Sequence, residues 1–131
     1  MIFESPSDLA DDAIYAGELG EGGAGGVSQV RAVVRGGLGT AEGLAVDWVG
    51  GTLYWVQAGL DLLEAARLDG SCRQTVVAGG MSRPRALALD PASTLLFWTD
   101  WDPVIKRYIA AKNLILIFFA FYISTVNMKF L

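Results

Sequence analysis

The 131-residue chain is long enough for one domain with a modest core, and it is apolar (53% hydrophobic residues), glycine-rich (16) and acidic overall, with a formal net charge of −4. That balance argues against a nucleic-acid partner, which needs a basic face. Histidine is absent and Cys72 is the sole cysteine, so the commonest general base, an internal disulfide and a zinc site are all excluded, and neither metal nor cofactor is expected.

In chain order, "MIFESPSDLADD" (1–12) has its apolar start broken at Glu4 and no basic flank, so it reads as an irregular N-terminus and not as a secretory leader. "AIYAGE" (13–18) reads as a short aromatic strand, and "GELGEGGAGG" after it as a flexible loop. "LAVDW" and "LYWVQ" are β-branched and aromatic runs joined across "VGGT", a turn whose glycines supply positive φ. "LLEAARLDG" consists of good helix formers but ends in Asp-Gly, a strong hairpin signal, and is followed by "RQTVVAG". The strand pattern then recurs in "ALALDPASTLLFWTD" (86–100).

Self-comparison explains the recurrence. "GLAVDWVGGTLYWVQ" (43–57) superimposes on residues 86–100 without gaps at an offset of 43, and "RAVVRGGLGTAEGLAVD" aligns with "QTVVAGGMSRPRALALD" at the same offset. Asp47, Tyr54 and Trp55 thereby meet Asp90, Phe97 and Trp98. Four short strands in each 43-residue unit match the length and content of a propeller blade, and the repeat overrides the helical preference of "LLEAARL".

These motifs resemble the YWTD (class B) repeats of the low-density lipoprotein receptor family, in the manner of the large receptor-related proteins. "LFWTD" (96–100) is a near-complete match, while "LYWVQ" keeps the aromatic pair and loses Thr-Asp. The resemblance implies an all-β, incomplete YWTD-type propeller of about two four-stranded blades plus a remnant, with a hydrophobic C-terminal tail open to a helical reading. Its repeat residues are Asp47, Tyr54, Trp55, Asp69, Gly70, Asp90, Phe97, Trp98, Thr99 and Asp100. The organisation expected is a degenerate partial blade at 13–42, a YWTD-like blade at 43–85, the start of the next at 86–107 and an unrelated hydrophobic tail at 108–131. In the first unit, Ala16, Gly17 and Glu18 are expected where Trp, Thr and Asp would stand, with the third strand replaced by the glycine-rich loop.

The family's propellers serve cell-surface receptors in ligand binding and in acid-triggered release during endocytosis. The resemblance therefore implies a non-catalytic fragment or isoform of such a receptor, on the extracellular side of the cell surface or endosome. Its partners would be the parent's protein ligands and further blades absent from this chain. Asp100 and Asp102 also suit a catalytic carboxylate pair for acid–base or glycosidase chemistry. A metal-dependent propeller-type hydrolase is a separate alternative, for which Asp47 and Asp90 stand at equivalent positions but residues 1–103 supply no Asn or His. The repeat favours packing, with the rings burying area between blades and the Asp oxygens accepting backbone N–H bonds from one blade to the next. Arg83 and Arg85 are candidate ligand contacts, or solvated arginines.

Composition breaks near residue 103. Residues 1–103 hold every glycine and all 14 acids against six arginines; residues 104–131 hold all three lysines, one arginine and no acid. This predicts a segment of different coding origin, such as a retained intron or alternative terminal exon, or else a divergent terminus. The 16 residues between Lys112 and Lys129 reach roughly 24 Å as a helix, short of a ~30 Å hydrocarbon core. Membrane contact through 113–128, in a small membrane-associated protein, and an aggregation-prone strand are the two readings of the tail.

Overall fold

The computed structural model describes residues 2–4, 12–20, 26–93, 95–101, 106–112, 115–121 and 128–130. Every regular element among them is a strand, and the strands form three antiparallel sheets in chain order. The first contains β1 (Ile2–Glu4), β2 (Ala13–Leu19) and β3 (Val27–Arg35). The second contains β4 (Ala41–Asp47), β5 (Thr52–Gln57), β6 (Leu62–Arg67) and β7 (Gln74–Ala78). The third runs from β8 (Pro84–Asp90) and β9 (Leu95–Asp100) through β10 (Lys106–Lys112) and β11 (Ile115–Phe121) to β12 (Met128–Phe130). Each is an up-and-down meander, the topology of propeller blades.

Burial on both faces explains the composition of β5. Alternate residues of a strand point to opposite faces. Leu53 and Trp55 join a cluster with Ile14, Val33, Val34 and Leu38 from the first sheet and its outgoing linker. Tyr54 and Val56 join a second cluster with Met81, Leu96 and Trp98 of the third sheet and its incoming linker. The middle sheet is thus sandwiched, and Leu53–Gln57 is an unbroken buried run. The same sandwich decides "LLEAAR": hydrogen-bonded between β5 and β7, with Leu63 and Ala65 in one cluster and Ala66 in the other, it is strand despite its helical propensity.

Leu38 and Met81, one repeat apart, are the linker residues that plug the two sheet interfaces. The leading strands β4 and β8 approach closely at Gly43, where a Cβ would lie 2.3 Å from the Arg85 carbonyl oxygen and 2.9 Å from the Leu87 nitrogen. A side chain there would prise the two sheets apart.

Strand registers correct the reading of the first unit. In the second sheet Leu62, Leu63, Glu64 and Ala65 pair with Ala78, Val77, Thr75 and Gln74, with an irregularity after Leu63. In the first, Ala13, Ile14, Tyr15 and Ala16 pair with Arg35, Val34, Ala32 and Arg31, with an irregularity after Ile14. The partners in β3 and β7 differ by the repeat offset at every step. So β2 corresponds to β6, the third strand of a blade, and not to the aromatic second strand. The second strand is β1, whose Ile2, Phe3 and Glu4 pair with Ala16, Tyr15 and Ile14 as Tyr54, Trp55 and Val56 pair with Ala65, Glu64 and Leu63.

Residues 2–4 are therefore ordered strand, where an irregular N-terminus was expected. No third strand is replaced. The extra residues lengthen the β2–β3 hairpin past Ala16–Arg31 to Leu19–Val27, and the Gly20 N–H donates to the Gly26 carbonyl at 3.3 Å.

The described part of the tail is strand, not helix. The expected boundary after residue 107 falls within β10, which pairs with β9 through Tyr108–Thr99, Ile109–Trp98 and Ala110–Phe97. Isoleucine and phenylalanine fit a pleated surface, and β9 offers an open row of backbone groups on which "ILIFFAF" can be templated through β10.

Candidate functional site

The repeat residues converge on the seams between sheets. Trp55 and Trp98 are 0% and 1% exposed, each facing the preceding sheet. Tyr54 is buried toward the following sheet, and Phe97, its counterpart, is half-buried. Asp100, 7% exposed at the end of β9, accepts the Ser82 N–H on both carboxylate oxygens, at 2.7 and 2.8 Å. Ser82 lies in the linker that joins the second sheet to the third, so this carboxylate ties a strand to the linker entering its own blade. Thr99 Oγ1 accepts the Ala86 N–H at 3.0 Å on the adjoining strand.

The other acids of the motif close turns. Asp47 is buried and accepts the Gly50 N–H at 2.9 Å; its repeat partner Asp90 accepts those of Ala92 and Ser93 at 3.1 and 3.3 Å. Hydrogen bonds from Ser93 hold the Asp90 carboxyl below its ordinary value. Asp69 accepts both the N–H and the hydroxyl of Ser71, at 2.9 and 2.6 Å, and those bonds lower its pKa likewise. Gly70, at φ +85°, sits so close to the first sheet that a Cβ would fall 1.6 Å from the Val33 carbonyl oxygen.

Both linkers repeat a backbone clasp. Ala58 N–H donates to the Thr40 carbonyl at 3.0 Å, and Trp101 N–H to the Arg83 carbonyl at 3.2 Å, with Thr40 and Arg83 both in the left-handed region. Asp61 in the β5–β6 turn accepts the Arg83 N–H at 2.7 Å. Arg83 thus contributes through its backbone to the joint, and its side chain is exposed. Arg85 forms an ion pair with Glu42 at 2.5 Å, between equivalent positions of β4 and β8.

A polar network that the sequence reading missed lies over the first seam. Arg73 Nη2 pairs with Glu64 Oε2 at 2.7 Å, while Nη1 and Nη2 donate to the carbonyls of Gly36 and Gly37 at 2.7 and 2.8 Å. The guanidinium stands over the Trp55 ring, 5.5 Å from its centroid. Gln57, fully buried, donates through Nε2 to Glu64. The available signal was Gln57 itself, which occupies the position of Asp100 in the repeat. Arg73 carried no signal for its contact with the first seam, because the carbonyls it reaches there belong to a linker 36 and 37 residues away.

Chemically, this arrangement is stitching. Asp47, Asp90 and Asp100 are acceptors for backbone N–H groups, and Asp102, the proposed second member of an acid pair, lies outside the described residues. Among the described residues no group of three acids or thiols gathers to hold a metal. Cys72 is exposed and unpaired.

Comparison with known proteins agrees with this geometry. Residues 51–91, from the β4–β5 turn past the end of β8, match the model of the low-density lipoprotein receptor repeat class B. Low-density lipoprotein receptor-related protein 5 of Mus musculus is 47% identical over 95 residues, which cover 72% of this chain and 6% of that protein. The chain therefore spans a small fraction of the length of this relative. Among solved structures, the crystal structure of a nidogen/laminin complex superimposes with a TM-score of 0.63 at 24% identity, covering 94% of this chain and 44% of that one. At that identity the likeness speaks for the fold alone.

Proposed function

Because this chain belongs to the class B (YWTD) repeat family of the low-density lipoprotein receptors, we propose that it is a non-catalytic propeller scaffold of a receptor-related protein. In this reading it is a fragment or isoform of a cell-surface receptor, facing the extracellular or endosomal side. It would contribute blades to a surface that binds and releases protein ligands in endocytosis or signalling.

The observation that carries the reading is the use of the motif acids. Asp100 has both oxygens on one backbone N–H, and Asp47 closes a turn, so the residues that suggest hydrolase chemistry serve as joints between and within sheets. Trp48 and Val49 support a binding role. They project from the β4–β5 turn at 76% and 70% exposure, where a scaffold would present contact residues.

The test is biolayer interferometry of the full chain against protein ligands of low-density lipoprotein receptor family members, the partner class that the resemblance implies. Saturable binding that weakens in Trp48→Ala with Val49→Ala, at unchanged circular dichroism, supports the proposal. A folded chain that binds none of them overturns it.

A further inference from the structure

The first and third sheets carry complementary halves of the joint that the two inner seams already make. In the second seam, Tyr54 and Val56 of β5 meet Leu96, Trp98 and the linker residue Met81. Phe97 and Thr99 hold the positions of Tyr54 and Val56 one repeat later, and strand alternation puts them on the face of β9 opposite Trp98. In the first seam, Leu68 packs against the cluster shared with the first sheet. Counting on from the paired registers, Leu19 holds the position of Leu68. Ile14 and Ala16 face the second sheet, so Tyr15, Gly17 and Leu19 line the other face of β2. A Cβ on Gly17 would run into Val27 Cγ1 and lie 3.4 Å from Val30 Cγ2, so both valines share that face, where Leu19, Val27 and Val30 are exposed. Among the described residues, the substantial contacts between sheets join the first to the second and the second to the third; none joins the third back to the first.

Charge identifies the occupant. Residues 1–26 hold six acids and no basic residue, whereas residues 104–131 hold three lysines, one arginine and no acid. Laying the third sheet of one copy against the first sheet of another therefore brings opposite charges together. Two first sheets, or two third sheets, would oppose like charges. The contact is thus head to tail, between two different faces. Stoichiometry follows from the number of sheets. Closed propellers have about 4–8 blades. The described strands of one chain form three sheets, too few to close; two chains supply six, and a third chain would exceed the range.

We propose that two copies of this chain associate head to tail into a closed ring, the β9 face of Phe97 and Thr99 in each copy meeting the face of Leu19, Val27 and Val30 in the other. This goes beyond the receptor-scaffold reading, which places ligand contact at Trp48 and Val49; a chain that stays monomeric leaves that reading untouched.

The experiment is sedimentation velocity of the full chain over a concentration series at low and high salt. The expected result is a species of two chains whose dissociation constant rises roughly 10-fold between the two salt conditions. Leu19→Lys with Val27→Lys, at exposed positions, should raise that constant roughly 100-fold, and Phe97→Asp should weaken the pair from the other face. Mixing the two variants should restore a two-chain species, because each keeps the face that the other has lost. Circular dichroism checks that the variants fold; if Phe97→Asp does not, the salt series and the exposed double variant still decide. A monomer at every concentration, a pair indifferent to salt and to Leu19→Lys with Val27→Lys, folded variants that do not pair when mixed, or growth beyond two chains overturns the proposal.

Discussion

Arg73→Ala removes, in one substitution, the ion pair with Glu64, two hydrogen bonds to the Gly36 and Gly37 carbonyls and the stacking over Trp55. Hydrogen bonds to a charged partner contribute about 1.5–3 kcal/mol when desolvated. The Arg73 side chain is 29% exposed, so the lower end applies to its ion pair and carbonyl contacts. Cation–π attraction at such a site adds about 0.5–1 kcal/mol. Glu64, whose side chain is only 10% exposed, would keep the hydrogen bond from Gln57 but lose its cation and carry an uncompensated charge. The expected loss is about 2–4 kcal/mol, read as a shift of the urea midpoint by tryptophan fluorescence with an unchanged slope. Arg73→Lys should recover less than half of it, because an ammonium cannot donate in a fork to Glu64 and two carbonyls while stacking on an indole. A loss below about 1 kcal/mol, or full recovery with lysine, would refute the claim that this guanidinium pins the first seam.

Asp100→Ala strips the Ser82 N–H of both acceptor oxygens in a buried site, and a drop of about 1–3 kcal/mol in the same denaturation assay is expected; a neutral result would remove the stitching role. Gly70→Ala combines left-handed backbone with a Cβ aimed at the Val33 carbonyl, so its cost should exceed the roughly 1–2 kcal/mol of αL strain alone, and an unchanged thermal midpoint would contradict the contact. Asp69 and Asp90 have folded-state pKa values below the ordinary 3.8. Their stabilisation is therefore present above that pH and is lost as pH falls through the folded values. Acid titration of the Asp69→Asn, Asp90→Asn variant should show a shallower fall in stability below pH 3.8 than the parent, and an identical slope would show that these turns do not contribute.

Much of the fold was legible from the chain. The 43-residue offset, the aromatic pairs Tyr54-Trp55 and Phe97-Trp98, and the Asp-Gly turn at 69–70 identify repeated four-stranded units. The reason is physical: β5 is buried on both faces and β9 on the face that meets the preceding sheet, so the demand for large apolar residues recurs with the blade. The partial first unit was misread because "AIYAGE" offered an aromatic at nearly the right distance, and only hydrogen-bond register distinguishes a third strand from a second. Two consecutive strands of one meander can look alike in composition.

What the sequence determined by itself is the all-β repeat and the aromatic residues that β5 and β9 carry into the seams, because burial periodicity is a local property of strands. Tertiary structure alone decided three things: that Arg73 reaches back to Gly36 and Gly37, that Asp100 meets Ser82, and that the tail continues the third sheet instead of coiling into a helix. Each depends on which backbone groups lie adjacent once the sheets are packed. Hydrogen bonds from a guanidinium or carboxylate to main-chain atoms impose no particular side chain on the partner, so they leave no trace in its residue type.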